Sequence, residues 1–121
     1  MGNPAQQTGS GPSYPAERKQ PRIPLTIEMR CAGAGRAERF ISKDLSAVGV
    51  FLYTTRVYPV GAQLELAFYV PYHHQEIRAK ACVARHSQDA ETGLVDGMGL
   101  EFTELSETAA GHIARYIERT K

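Results

Sequence analysis

The sequence lacks any apolar run that approaches the roughly 20 residues needed to span a bilayer. Its first residues also lack the basic start and the apolar stretch that mark a secretory signal. Basic charge is scarcely in excess, since 14 Lys and Arg residues face 13 Asp and Glu residues, for a net charge of +1. Proteins that bind nucleic acid through a broad basic surface neutralise many phosphates at once. We therefore expect a cytoplasmic protein without membrane insertion and without nucleic acid as a partner.

Residue sets for metal binding and catalysis are also scarce. The chain has two cysteines and four histidines, and none of them has the spacing of a preassembled metal site. These residues are Cys31, Cys82, His73, His74, His86 and His112. In a reducing compartment such cysteines are typical of buried small apolar residues rather than of a disulfide. No paired general acid and base and no Ser/His/Asp set emerges from the patterned segments. We expect no metal, no cofactor and no enzymatic activity.

The sequence does have a succession of short segments in which apolar and polar residues alternate. The first 16 residues are mostly Gly, Pro, Ser, Gln and Asn, which predicts a flexible tail ahead of one domain at residues 17–121. Alternation with a period of two predicts strands with one buried face. Six strands are predicted, at about residues 23–31, 37–45, 50–55, 62–70, 75–86 and 98–105. Short strands joined by short turns indicate an all-β fold, a six-stranded antiparallel β-barrel.

The end of the chain has a different pattern. Ser106 can cap a helix, and Glu107 suits the first turn of that helix. Ile113, Tyr116 and Ile117 fall at helical spacing. We therefore predict a C-terminal α-helix that packs on the barrel.

Two arginines precede the first predicted strand. Arg18 and Arg22 are separated by three residues, in a segment whose Pro21 and Pro24 disfavour a helix, so an extended arm is predicted. Guanidinium groups pair bidentately with phosphate oxygens or with the O6/N7 edge of guanine. Two of them on one arm can hold a guanine nucleotide, although this spacing alone is also typical of a solvated basic flank.

A second cluster lies at the junction of the second and third predicted strands. Asp44 and Ser46 offer a carboxylate and a hydroxyl that can meet the N–H edge of guanine, and Gly49 lets the backbone turn and a ligand approach closely. Taken alone, this segment is more typical of an ordinary Asx-type turn between strands.

Arg-x-x-x-Arg followed by Asp-x-Ser-x-x-Gly, inside a six-strand pattern, resembles the PilZ domain family. The resemblance covers roughly residues 17–119 and includes the segment at 98–102 and the closing helix. It implies a β-barrel whose N-terminal arm folds over one face and binds cyclic di-GMP between the arm and the turn. The implied ligand-binding residues are Arg18 and Arg22 on the arm and Asp44, Ser46 and Gly49 on the barrel.

The resemblance implies a cyclic di-GMP receptor that couples ligand binding to ordering of the arm. We expect the output to be a changed interaction with an unidentified downstream protein, with the chain as a monomer or weak dimer. The alternative is a PilZ-like adaptor that binds proteins without a nucleotide. A single-strand nucleic-acid-binding barrel is opposed by the near-neutral charge and by the lack of a clustered aromatic platform. The tyrosines are more typical of packing residues, namely Tyr53, Tyr58, Tyr69 and Tyr72.

Overall fold

The computed structural model describes residues 21–33 and 35–120 of the 121-residue chain. The predicted tail at residues 1–16 and the predicted ligand residue Arg18 lie outside the described residues. The strands are β1 Ile23–Pro24, β2 Glu28–Gly33, β3 Arg36–Leu45, β4 Gly49–Tyr53, β5 Gln63–Phe68, β6 Ile77–Gln88 and β7 Val95–Leu105. They are followed by the helix α1, Glu107–Thr120.

Six of the strands close into a barrel. β3 pairs with β2, followed in order by β5, β6, β7 and β4, and β4 pairs again with β3. All of these pairings are antiparallel. The short β1 pairs with the end of β3. The predicted six-stranded antiparallel barrel with a C-terminal helix is confirmed, and closure leaves these six strands without a free edge.

Alternating side chains fill the interior of the barrel. On β5 the buried residues are Leu64, Leu66 and Phe68, as the sequence pattern predicts. On β6 the buried residues are Ile77, Ala79, Ala81 and Val83. The interior of a small barrel of this kind is occupied by its own side chains. A ligand therefore has to bind on the outer surface.

The predicted first strand, at residues 23–31, is two strands in the structure. β1 and β2 both lie along the same edge of β3 and are separated by a short gap. The hydroxyl of the buried Ser42 bridges this gap, because it donates to the carbonyl of Leu25 and accepts the N–H of Ile27 at 3.1 Å. The backbone N–H of Ser42 also donates to the carbonyl of Ile27 at 2.9 Å. The segment that leads from the arm into the barrel is thus fastened to β3.

The C-terminal helix begins as the sequence predicts. The hydroxyl of Ser106 accepts the N–H of Ala109 at 3.1 Å, which satisfies one of the unpaired donors of the first turn. The buried side of α1 consists of Ala109, Ile113, Tyr116 and Ile117, and it joins the core of the barrel. No helix in the described part of the chain is long and apolar enough to cross a membrane.

Both cysteines are free thiols. Cys31 is buried and Cys82 is half-buried. Burial raises the pKa of Cys31 to about 12, and the nearby carboxylate of Glu38 acts in the same direction. The Cys31 thiol is therefore protonated at neutral pH and packs in the core as a small apolar group.

Candidate ligand-binding site

One contact between predicted site residues joins the arm segment to the barrel. β1 pairs with the end of β3, with Pro24 opposite Asp44, and this pairing brings Arg22 beside Asp44. Nη1 of Arg22 donates a hydrogen bond to Oδ1 of Asp44 at 3.0 Å. The two side chains are 32% and 22% exposed, so both are accessible from solvent. Two predicted ligand residues from separate motifs therefore meet at one point on the outer surface.

A β-bulge in β3 determines the direction of Asp44. The register between β3 and β4 shifts between Ser42 and Asp44, which leaves Lys43 as the extra residue. Phe40 and Ser42 are buried, so strict alternation would also direct Asp44 into the barrel. Lys43 faces outward as alternation requires, and the bulge turns Asp44 outward as well and returns Leu45 to the core. Without this extra residue the carboxylate would be desolvated in an apolar interior.

Ser46 shapes the turn between β3 and β4. Its side chain is fully buried, and its hydroxyl oxygen accepts the N–H groups of Val48 and Gly49, both at 3.2 Å. The backbone N–H of Ser46 donates to the carbonyl of Gly49 at 2.9 Å. The hydroxyl is thus engaged by the backbone of its own turn. A direct contact between Ser46 and a ligand stays a prediction.

Gly49 is needed for a close approach between two strands. Its φ lies outside the left-handed region, so the turn itself does not demand a glycine. A Cβ at this position would overlap the carbonyl oxygen of Leu100 on β7. Glycine therefore allows β4 and β7 to pair directly beside the turn. A contact between Gly49 and a ligand likewise stays a prediction.

Beside Asp44, the outer face of the barrel carries a group of residues that sequence reasoning missed. Phe51 lies opposite Asp44, Gly99 lies opposite Phe51, and Arg85 lies opposite Gly99, across β3, β4, β7 and β6. The Nζ of Lys43 is 5.3 Å from the centre of the Phe51 ring, and the guanidinium carbon of Arg85 is 5.5 Å from it. We call Lys43, Phe51 and Arg85 the Phe51 cluster.

A second bulge directs Arg85 to the outer surface. The register between β6 and β7 shifts between Val83 and Arg85, which leaves Ala84 as the extra residue. Strict alternation after the buried Val83 would place Arg85 in the core. The bulge turns the guanidinium outward instead. A charged residue at a position that alternation assigns to the core is a signal from which this bulge could have been predicted.

Three of the four tyrosines assigned to packing lie on the surface. Tyr58 is 1% exposed, but Tyr53, Tyr69 and Tyr72 are 48%, 52% and 86% exposed. The packing interpretation is therefore wrong for these three residues. Tyr53 borders the candidate site, because its ring centre lies 6.1 Å from that of Phe51 in an edge-on arrangement.

A groove of about 1010 Å³ lies away from both predicted motifs, across the outer face of β2, β5 and β6. The cations at its rim already have partners, since Arg30 pairs with Glu76 and Lys80 lies 3.8 Å from Glu104. We therefore place the candidate site at Arg22 and Asp44, whose side chains can bind a nucleotide, and not in the larger groove. Within residues 21–33 and 35–120, no group of three or more His, Cys, Asp or Glu side chains is arranged to hold a metal ion.

The family comparison covers most of the chain. The sequence model of the PilZ domain matches residues 16–119, which include the arm, the barrel and the helix. A search of curated protein sequences found no match.

Several solved structures share the fold. The inhibitor of motility MotI/DgrA of Bacillus subtilis aligns with a TM-score of 0.75 and 21% identity over 85% of this chain and 50% of its own. The PilZ domain of Escherichia coli YcgR with c-di-GMP aligns with a TM-score of 0.62 and 17% identity, over 84% of this chain and 89% of its own. Borreliella burgdorferi PlzA in complex with c-di-GMP aligns with a TM-score of 0.59 and 16% identity, over 79% of this chain and 39% of its own. The present chain therefore spans half or less of the length of MotI/DgrA and PlzA.

Proposed function

The chain belongs to the PilZ domain family, and from that membership we propose that it is a receptor for cyclic di-GMP and not an enzyme. Two structures with the same fold, those of the YcgR domain and PlzA, hold c-di-GMP. In this proposal, binding of the dinucleotide changes how the chain contacts a downstream protein.

The pairing of Arg22 with Asp44 is the observation that carries the proposal. Guanine offers complementary groups to both, because O6 and N7 accept from a guanidinium and the ring and amino N–H groups donate to a carboxylate. A phosphodiester is a second partner for the guanidinium. An exposed ion pair contributes at most about 1 kcal/mol. A ligand that bonds to both side chains can therefore replace their mutual contact at little cost.

The other predicted residues complete the proposed site. Arg18 supplies a second guanidinium from the arm, four residues before Arg22. Ser46 and Gly49 form the barrel side of the pocket, and the hydroxyl of Ser46 fixes the backbone of the turn that follows Asp44. In this proposal, the arginines of the arm bind phosphates and guanine, and the turn binds the N–H edge of a guanine.

The proposed switch is the arm at residues 17–22. Ordering backbone costs about 1–2 kcal/mol per residue, so charge-assisted bonds from a ligand favour the ordered arm. Ligand binding and arm ordering are then linked, and the surface that forms is available to a downstream protein. The similar Bacillus subtilis protein is an inhibitor of motility, which supports an output through another component.

Titration calorimetry on the full chain with cyclic di-GMP, GTP and a short oligonucleotide tests this function. We expect cyclic di-GMP to bind much more tightly than the other two. Asp44→Ala should weaken its binding by about 1–3 kcal/mol, the scale of a good base contact. Arg22→Lys keeps the charge but loses the planar fork, and should lose a similar amount. Arg39→Lys, at an arginine whose side chain is 71% exposed, is the matched control.

Two results would contradict the proposed function. The absence of cyclic di-GMP binding would favour the adaptor that works without a nucleotide. Tighter binding of the oligonucleotide than of cyclic di-GMP would favour a nucleic-acid-binding barrel.

A further inference from the structure

The Phe51 cluster places two cations against one aromatic ring on the outer face of the barrel. Lys43 and Arg85 lie 5.3 Å and 5.5 Å from the ring centre of Phe51. Lys43 is the extra residue of the β-bulge in β3, and Arg85 is turned outward by the β-bulge in β6. Bulges often redirect side chains next to functional sites. Two independent bulges that converge on one ring indicate a built feature rather than a pair of loose surface side chains.

Two glycines on β7 form the floor of the Phe51 cluster. A Cβ at Gly97 would overlap the ring of Phe51. A Cβ at Gly99 would lie 3.3 Å from the Cγ and Nε atoms of Arg85, which is tighter than an ordinary contact. The missing side chains let the ring and the guanidinium stem lie directly on the strand. Gly97 and Gly99 therefore help to fix where the ring of Phe51 and the side chain of Arg85 lie.

The cations of the Phe51 cluster differ from the other strand cations in their partners. All other Lys and Arg residues in the described strands lie within 4.0 Å of a carboxylate, namely Arg30, Arg36, Arg39, Arg78 and Lys80. Among the described residues, no carboxylate lies within that distance of Lys43 or Arg85. One cation over a ring is a favourable contact, but a second one adds repulsion. An anion bound between the two would remove that repulsion.

We propose that Lys43 and Arg85 form a phosphate subsite that receives one phosphodiester of cyclic di-GMP. The subsite adjoins the pair formed by Arg22 and Asp44, because Asp44 lies directly opposite Phe51. A cyclic dinucleotide carries two phosphodiesters, so the arm binds one of them and the barrel face binds the other. The identity of the ligand rests on the proposed function, whereas its anionic class rests on the Phe51 cluster alone.

Calorimetry with cyclic di-GMP on the full chain tests the subsite. Lys43→Gln and Arg85→Gln should each raise the Kd about tenfold, the effect of losing one charge-assisted bond. Lys80→Gln and Arg39→Gln remove the same charge elsewhere on the barrel and should change the Kd by less than about twofold. The Kd of the wild-type chain should also rise more steeply with ionic strength than that of the Lys43→Gln variant. A purely structural role for these side chains would leave the salt dependence unchanged.

A titration with inorganic phosphate separates the subsite from the identity of the ligand. Phosphate should shift the ring signals of Phe51 and the amide signal of Gly99, and chloride at equal ionic strength should not. If phosphate shifts these signals but cyclic di-GMP does not bind, the proposed function fails and the subsite stands. If cyclic di-GMP binds wild type, Lys43→Gln and Arg85→Gln equally, the subsite is overturned and the proposed function stands.

Discussion

Replacing Ser42 with alanine removes the hydroxyl that bridges the gap between β1 and β2. This hydroxyl donates to the carbonyl of Leu25 and accepts the N–H of Ile27 at 3.1 Å. Ser42 is 0% exposed, so solvent does not readily take the place of the hydroxyl. The substitution leaves both backbone groups without this partner, at the point where the arm enters the barrel.

The expected loss follows from the burial of the two backbone groups. A buried polar group that loses its hydrogen-bond partner costs about 1–3 kcal/mol. Leu25 is buried, whereas Ile27 is half-buried and can recover part of its bond from water. We therefore expect Ser42→Ala to lower the free energy of unfolding by about 2–4 kcal/mol. In a domain with about 5–15 kcal/mol of stability, this corresponds to a fall in Tm on the order of 10 °C.

Urea unfolding and amide hydrogen exchange measure this effect. The amide of Ile27, which loses its acceptor, should exchange faster in Ser42→Ala than in the wild-type chain, while the amides of β5 stay protected. Ser87→Ala is a matched control, because Ser87 is half-buried and makes no side-chain hydrogen bond with a described residue. If Ser42→Ala costs no more than Ser87→Ala, the bridge does not hold the arm segment to the barrel.

Two further predictions concern the strand contact beside the turn and the pH dependence of stability. Gly49→Ala should lower the free energy of unfolding by about 1–3 kcal/mol, because its Cβ would overlap the carbonyl oxygen of Leu100. As a control, Gly111→Ala in the open interior of α1 should raise the free energy of unfolding by up to about 1 kcal/mol. Desolvation and the ring of His112, 4.9 Å away, lower the pKa of His73 below 6.5. Its contribution to stability is therefore present above pH 6.5 and lost as the pH falls through the lowered value. Urea midpoints measured between about pH 7 and 5 should fall less in His73→Gln than in wild type.

The architecture could be predicted because alternation and turn signals agree along most of the chain. Alternate residues of β5, from Leu64 to Phe68, and of β6, from Ile77 to Val83, face the core as predicted. Ser106 also caps the helix as predicted. The division of the first strand could not be predicted in the same way. It depends on the hydroxyl of Ser42, which belongs to a different strand and reaches the gap only in the folded barrel.

The candidate site could be predicted only in part, because two bulges determine which side chains share its face. The motifs identified Arg22 and Asp44, and the structure brings these two together. Lys43 and Arg85 could not be assigned to the site in this way. They lie over the ring of Phe51 because of how four strands pair, and local alternation in the sequence does not reveal that register. The charge of Arg85 at an apparently buried position was the available signal for the second bulge.

Titration calorimetry that compares cyclic di-GMP with cyclic di-AMP on the full chain tests the central claim most directly. Adenine presents an amino donor where guanine presents O6, so it opposes the guanidinium of Arg22 and lacks the guanine N–H edge for Asp44. The account predicts saturable binding of cyclic di-GMP and binding of cyclic di-AMP that is weaker by at least about tenfold. Equal affinities for the two dinucleotides, or no binding of cyclic di-GMP, would contradict it.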